Sequence, residues 1–192
     1  MTLDTARLRI RELTPADAPF ILALLNDPDF IRNIGDRNVR TPDDARRYIE
    51  AGPMASYARH GFGLCLVQTI DGGDPIGICG VLKRDELPEP DIGFAFLPAY
   101  RSQGYAREAA TAVLTHARAV LRLPRLLAFV NPDNGPSIRL LERLGFRFER
   151  MIRLNNRTVD LKLFALAPPS PPSPPSPPGS DPCLTPSERD QR

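Results

Sequence analysis

The chain has 192 residues, enough for one domain with a core, and a net charge of +2 that is too small to favour a polyanion, so no nucleic-acid partner is expected. No run of about 18 apolar residues occurs and the N-terminus lacks the basic-then-apolar pattern of a signal peptide, so a soluble, cytoplasmic protein without a membrane partner is expected. Cys65, Cys79 and Cys183 form no C-x-x-C pair and are odd in number, and His60 and His116 are the only histidines, which argues against a disulfide framework or a metal site.

In chain order, Leu8 and Ile10 alternate with Arg7, Arg9 and Arg11, the period of a first strand with one buried face. Thr14-Pro15-Ala16-Asp17 then supplies an N-cap, a proline at the first helical position and an acid at the capping-box position. Ala18, Ile21, Leu22 and Leu25 follow at helical spacing. The same start signal at Thr41-Pro42-Asp43-Asp44 predicts a second short helix to about Ala51. Strand-like runs at 61–68 and 76–82 are joined across Asp71-Gly72-Gly73-Asp74, a hairpin signal.

Residues 91–97 make a further strand, and a helix over 104–121 carries Ala106, Ala109, Ala110, Val113, Leu114, Ala117, Val120 and Leu121 on one face, small enough to sit close to a sheet. A short strand at 125–130 precedes a helix at 137–144 closed by Gly145. The last two strands, 146–154 and 158–166, pair across Asn155-Asn156. From Pro168 on, ten of twenty-five residues are proline, a composition that cannot offset its ordering entropy, so the domain is expected to span 1–167 and residues 168–192 to form a disordered proline-rich tail.

The stretch most informative about chemistry runs from Ile92 to Ala106. A strand ends at Pro98, and a loop holding Gly104 leads directly into a helix, whose first N–H groups and dipole suit a phosphate or pyrophosphate. A dinucleotide fold would need G-x-G-x-x-G and a phosphate loop a lysine after its second glycine; neither is present.

Arg101-x-x-Gly104-x-Ala106 resembles the R/Q-x-x-G-x-G/A pyrophosphate loop of the GNAT acetyltransferases, and with Asp91-Ile92-Gly93-Phe94 before it and Arg107-Glu108-Ala109 after it the stretch is similar to the ribosomal-protein-alanine N-acetyltransferase branch. Asn131-x-x-Asn134-x-x-Ser137, the closing Leu144-Gly145-Phe146 and the opening Leu3-x-Thr5-x-Arg7-Leu8-x-Ile10-Arg11 extend the resemblance from residue 3 to about 166. Two departures stand out. Arg101, Ser102 and Gln103 occupy positions where the branch often has tryptophan, glycine and lysine, and Phe94 stands where an aromatic hydroxyl is frequent.

The resemblance implies an α/β fold with a mixed, mostly antiparallel central sheet and helices on both faces. It implies acetyl-CoA as co-substrate, with the pyrophosphate on Arg101, Ser102, Gln103, Gly104, Tyr105 and Ala106, backbone groups of Phe96 and Leu97 on the pantetheine and thioester, and Asn131 and Asn134 as further contacts. Asn134 also suits the N-cap of the helix that Ser137 opens. Ser137 would protonate the departing thiolate, and Asp91, directly or through water, would take the acceptor amine's proton.

The expected activity is direct acetyl transfer in a ternary complex to a primary amine, a protein N-terminus or a small aminoglycoside-like or polyamine acceptor, by a monomer or homodimer. The acceptor groove falls to the first two helices and their loop. A catalytically silent acyl-CoA-binding domain and an adaptor acting through P-x-x-P segments of the tail are the competing classes.

Overall fold

The computed structural model describes residues 1–154 and 159–167. The turn expected at Asn155-Asn156 and the proline-rich tail lie outside the described residues. The backbone builds an eight-stranded sheet in the order β1-β2-β3-β4-β5-β6-β8-β7. These strands are β1 (Thr2–Asp4), β2 (Leu8–Glu12), β3 (Leu64–Thr69), β4 (Pro75–Leu82), β5 (Asp91–Phe96), β6 (Leu126–Val130), β7 (Arg147–Ile152) and β8 (Leu161–Leu166). All neighbours are antiparallel except β5 and β6. The expected α/β class and sheet type therefore hold.

Helices cover both faces. On one, α5 (Tyr105–Ala119) lays Ala109, Ala110, Val113, Leu114 and Ala117 on Ile10, Cys79, Val81, Ile92 and Phe96, and α6 (Gly135–Arg143) adds Leu141. The alanines let helix backbone approach the sheet closely, as their spacing implied. Val120 departs from the expected apolar face: α5 stops at Ala119, and Val120 is 63% exposed. On the other face, α1 (Ala18–Leu25), α2 (Pro28–Ile34) and α3 (Pro42–Ile49) bury Ile21, Leu24, Phe30 and Ile49 against Leu66 and Ile78.

Local chemistry explains where these helices begin. The Thr41 hydroxyl accepts from the Asp44 N–H at 3.1 Å while the Asp44 carboxylate accepts from the Thr41 N–H at 2.9 Å, a closed capping box. The Thr41 hydroxyl and the backbone N–H groups of Arg40 and Thr41 hold the Asp44 carboxyl down to about 2. Helix α2 was absent from the sequence reading, although Asp27-Pro28 is a start signal: the Asp27 carboxylate accepts from the Phe30 N–H at 3.0 Å. The second helix, expected to end near Ala51, does not stop at Gly52-Pro53. A wide turn of π type at Glu50–Met54 absorbs the proline, and the chain continues into α4 (Ala55–His60). Among the described residues, no helix is long and apolar enough to cross a membrane.

Candidate active site

The one parallel junction in the sheet is also its weakest. Antiparallel β4–β5 keeps six register partners and β6–β8 keeps five, whereas β5 and β6 share only Asp91 with Leu127, beside the Leu127 N–H bonded to the Pro90 carbonyl at 2.9 Å. Beyond that point the two strands part. Because they run parallel, their C-terminal ends and the helices that follow, α5 and α6, begin at the same open side of the sheet.

Strand alternation decides which backbone groups face the opening. The Leu97 N–H donates to the Ile76 carbonyl at 3.0 Å, so the amides of Leu97, Ala95 and Gly93 serve β4, and those of Phe94 and Phe96 point toward β6. The pairing expected at Phe96 and Leu97 thus shifts by one step. Leu97 has spent its N–H on the ladder, and Phe94 shares the edge with Phe96.

The loop after β5 has the form its sequence suggested. Ser102 (φ +61°) and Gly104 (φ +83°) are both left-handed, and Gly104 occupies the N-cap of α5 with no side chain to cap it. A Cβ on Gly104 would also stand 3.3 Å from the Arg7 guanidinium. The first N–H of α5 to reach a backbone acceptor is that of Glu108, on the Gly104 carbonyl at 3.0 Å. The N–H groups of Tyr105, Ala106 and Arg107 are the orphan donors that every helix start carries, here without a cap.

Two side chains of the loop are engaged in architecture. Arg101, expected as a charge near the phosphates, bonds the Phe96 carbonyl at 2.8 Å through Nε and Asp27 at 2.6 Å through Nη2, and also pairs with Asp29. It ties α2 to the end of β5, and its charge is spent there. The Gln103 amide donates to the Ala99 carbonyl at 2.7 Å. Arg7 is the guanidinium that reaches the loop, and its charge is paired with Glu108. Its Nη1 donates to the Gln103 carbonyl at 3.1 Å, its Nε to Glu108 at 2.7 Å, and its guanidinium lies 4.4 Å from the centre of the Tyr105 ring. The sequence placed Arg7 on the outward side of a strand and in the opening motif of the resemblance, but did not connect it to this loop.

At the head of α6, the Asn134 side chain accepts from the Ser137 N–H at 3.2 Å, the cap that was expected. The Ser137 hydroxyl has no hydrogen-bond partner among the described residues. Asn131 accepts from the Asp133 N–H at 3.1 Å, shaping the turn that leads into the helix.

Asp91 sits where β5 and β6 still touch, 1% exposed, with Oδ1 on Arg84 Nε at 2.9 Å. Burial outweighs the pull of that arginine and pushes its carboxyl up to about 6. Direct contact with an acceptor amine, one of the two routes expected for it, conflicts with this placement. A cleft of about 180 Å³ opens on the helical face carrying α1 to α3, and Asp91 is not in its wall, whereas Arg84 is. Phe30 and Ile34 of α2, Arg37 in the following connection and Tyr48 of α3 form one side, and Gly93, Phe94 and Ala95 of β5 the other. Of the segments expected to form the acceptor groove, α3 and the connection before it line this cleft and α1 does not, while α2 within that connection, and Arg37, Tyr48 and Arg84, were not singled out. Only the start signal at Asp27-Pro28 was there to find in the sequence. The convergence of the three side chains depends on pairings distant along the chain.

Residues 7–147 match the model of the acetyltransferase (GNAT) domain, and the chain belongs to that family of N-acetyltransferases. It is 27% identical over 173 residues to the uncharacterized N-acetyltransferase YoaA of Bacillus subtilis, covering 87% of this chain and 97% of that one. Among solved structures it is similar to an acetyltransferase from Agrobacterium tumefaciens, with 26% identity, a TM-score of 0.74 and coverage of 86% of this chain and 94% of that one. It shares its fold with the ribosomal-protein-S5-alanine acetyltransferase of Vibrio fischeri, at 16% identity, a TM-score of 0.67 and coverage of 88% and 98%.

Proposed function

We propose that this protein transfers an acetyl group from acetyl-CoA directly to a primary amine, in a ternary complex. The observation that carries the reading is the uncapped start of α5 at the open side of the β5–β6 junction. Acetyltransferases of this family generally use acetyl-CoA. The residues present suit it: the N–H groups of Tyr105, Ala106 and Arg107, with Ser102, Gln103 and Gly104 leading into them, would hold the pyrophosphate at the positive end of the helix dipole. The edge amides of Phe94 and Phe96 would take the pantetheine and the thioester carbonyl, and Asn131 and Asn134 shape the opposite turn.

Acetyl-CoA supplies an acyl group that is already activated, so proximity and a neutral amine are the protein's main contributions. The edge amides stabilise the developing oxyanion. Ser137 donates a proton to the departing thiolate. The acceptor's proton leaves through water in the cleft, and Asp91 acts as a positioning residue for Arg84. A covalent route through cysteine is disfavoured: Cys65 and Cys79 are buried, and burial pushes the Cys65 thiol up to about 12. Two buried free thiols also suit a cytoplasmic, reducing compartment. The acceptor is a protein N-terminus or a small amine, and the reading covers a monomer or a homodimer.

The test is amine-dependent release of CoA from acetyl-CoA by the full chain, with Gly104→Glu as the variant. Bulk and negative charge at the helix start should abolish CoA binding in calorimetry, and a folded variant with unchanged affinity would overturn the assignment.

A further inference from the structure

We propose that the acceptor amine carries a carboxylate, and that Arg37, Arg84 and the Tyr48 hydroxyl form the subsite that holds it. This inference rests on the acetyl-transfer reading and narrows it to a class of substrate.

The cleft beside β5 has an uneven wall. Phe30, Leu64, Ile78 and Leu82 make it apolar, and among the described residues its only charged groups are Arg37 and Arg84, with no aspartate or glutamate in the lining. Arg37 is the more telling of the two arginines. Its Nε is buried without a hydrogen-bond partner, and among the described residues no carboxylate lies within ion-pair distance of it. The acids of the surrounding segment are committed elsewhere: Asp27 and Asp29 to Arg101, and Asp36 to Arg40. Arg84 gives only its Nε to Asp91 and leans its guanidinium 4.9 Å from the Phe129 ring centre, leaving its terminal nitrogens for another acceptor. Burial pushes the Tyr48 hydroxyl up while Arg37 and Arg84 both pull it down, so both charges stand near that oxygen. It remains a neutral donor.

Two guanidinium groups and a hydroxyl line one apolar-walled cleft with no acid in its described wall, and Arg37 Nε is buried there without a partner, a donor that is costly to leave unmade and that an anion in the cleft would complete. A carboxylate matches the planar fork of an arginine and takes more than one donor at once. The same positive wall acts on the amine. It repels an ammonium ion and lowers the amine's pKa, which favours the neutral nucleophile without a carboxylate base in contact. Polyamines and aminoglycoside-like acceptors, cationic throughout, gain nothing there and are opposed by both charges.

The experiment measures kcat/KM for the full chain with acetyl-CoA and acceptor pairs that differ in one charge. Alanine against alaninamide tests a free amino acid. Ala-Asp-Ala against Ala-Asn-Ala, both amidated at the C-terminus, tests an acidic protein N-terminus, and spermidine serves as the polycation. In at least one pair the carboxylate member should exceed its amide by about tenfold or more, the effect of a hydrogen-bonded charge, with spermidine the poorest acceptor. Which pair responds tells the source of the carboxylate. Arg37→Met should bring that ratio toward unity with acetyl-CoA affinity unchanged by calorimetry, and Arg37→Lys should restore part of it. Amides or spermidine acetylated as well as the carboxylates, or a ratio untouched by Arg37→Met, would overturn the inference while leaving acetyl transfer intact. Tight CoA binding with no amine acetylated at all would sink both.

Discussion

Asp91→Asn tests whether burial or the arginine governs the carboxylate at the head of β5. The Asp91 side chain is 2% exposed and Arg84 is 27% exposed, so the acid is desolvated while its partner reaches water. Its carboxyl is raised from 3.8 to about 6. The sign follows from linkage: the folded chain keeps the proton to about pH 6, the unfolded chain releases it near 3.8, and this stability is therefore full at low pH and lost as pH rises through that window. At about 1.36 kcal/mol per pKa unit the full swing is about 3 kcal/mol, of which roughly 2 kcal/mol falls between about pH 4.5 and pH 7.5. Urea unfolding of wild type and Asp91→Asn across that range isolates the effect, because every other titrating group is common to both. The variant should gain about 2 kcal/mol on the wild type as pH rises. A constant difference, or one that moves the other way, would mean that the Arg84 ion pair dominates and that the carboxylate is favoured by folding. Activity adds a second readout. A proton acceptor in contact with the amine would lose a limb of its pH–rate profile near pH 6 on substitution, which a residue that only holds Arg84 would not.

Three further outcomes are expected. Arg101→Met should cost roughly 1 to 3 kcal/mol by leaving the buried Asp27 unpaired, seen as a lower Tm, while CoA affinity stays within about threefold; a large loss of affinity in a folded variant would return Arg101 to the phosphates. Ser137→Ala should lower turnover by at least about tenfold with CoA binding little changed. Weaker binding with turnover spared would make the serine a cofactor contact only. Truncation after Ala167 should leave Tm and turnover intact, because the proline-rich tail has almost no apolar side chains to bury, and a marked fall in either would move the domain boundary.

Much of the fold was legible in the sequence because its signals are local. The Thr41 capping box, the Asp71–Asp74 hairpin and the alanine stripe of α5 each express a hydrogen bond or a packing distance within a few residues of chain. The glycine-bearing loop was legible for the same reason: a left-handed N-cap at Gly104 is a property of one residue and the helix behind it. Local reading failed where two local rules competed. Gly52-Pro53 looks like a stop, yet a widened turn carries α3 into α4. Asp27-Pro28-Asp29 is a start signal inside what reads as a connection.

Side-chain partnerships across the molecule were decided by tertiary structure alone. Arg101 sits in the phosphate motif by sequence, but its charge goes to Asp27 and Asp29, more than seventy residues away, and it is Arg7, in the bend before β2 and paired with Glu108, that reaches the loop. Asp91 is an acid at a suggestive position until burial and Arg84 enclose it. The sequence by itself determined the kind of fold and the uncapped start of α5 behind a left-handed glycine, since both follow from short-range backbone rules. The character of the cleft beside β5 came from tertiary structure, which brings Arg37, Tyr48 and Arg84 into its wall and commits the neighbouring acids elsewhere. An electrostatic environment is a sum over everything nearby in space, and no spacing along the chain encodes it.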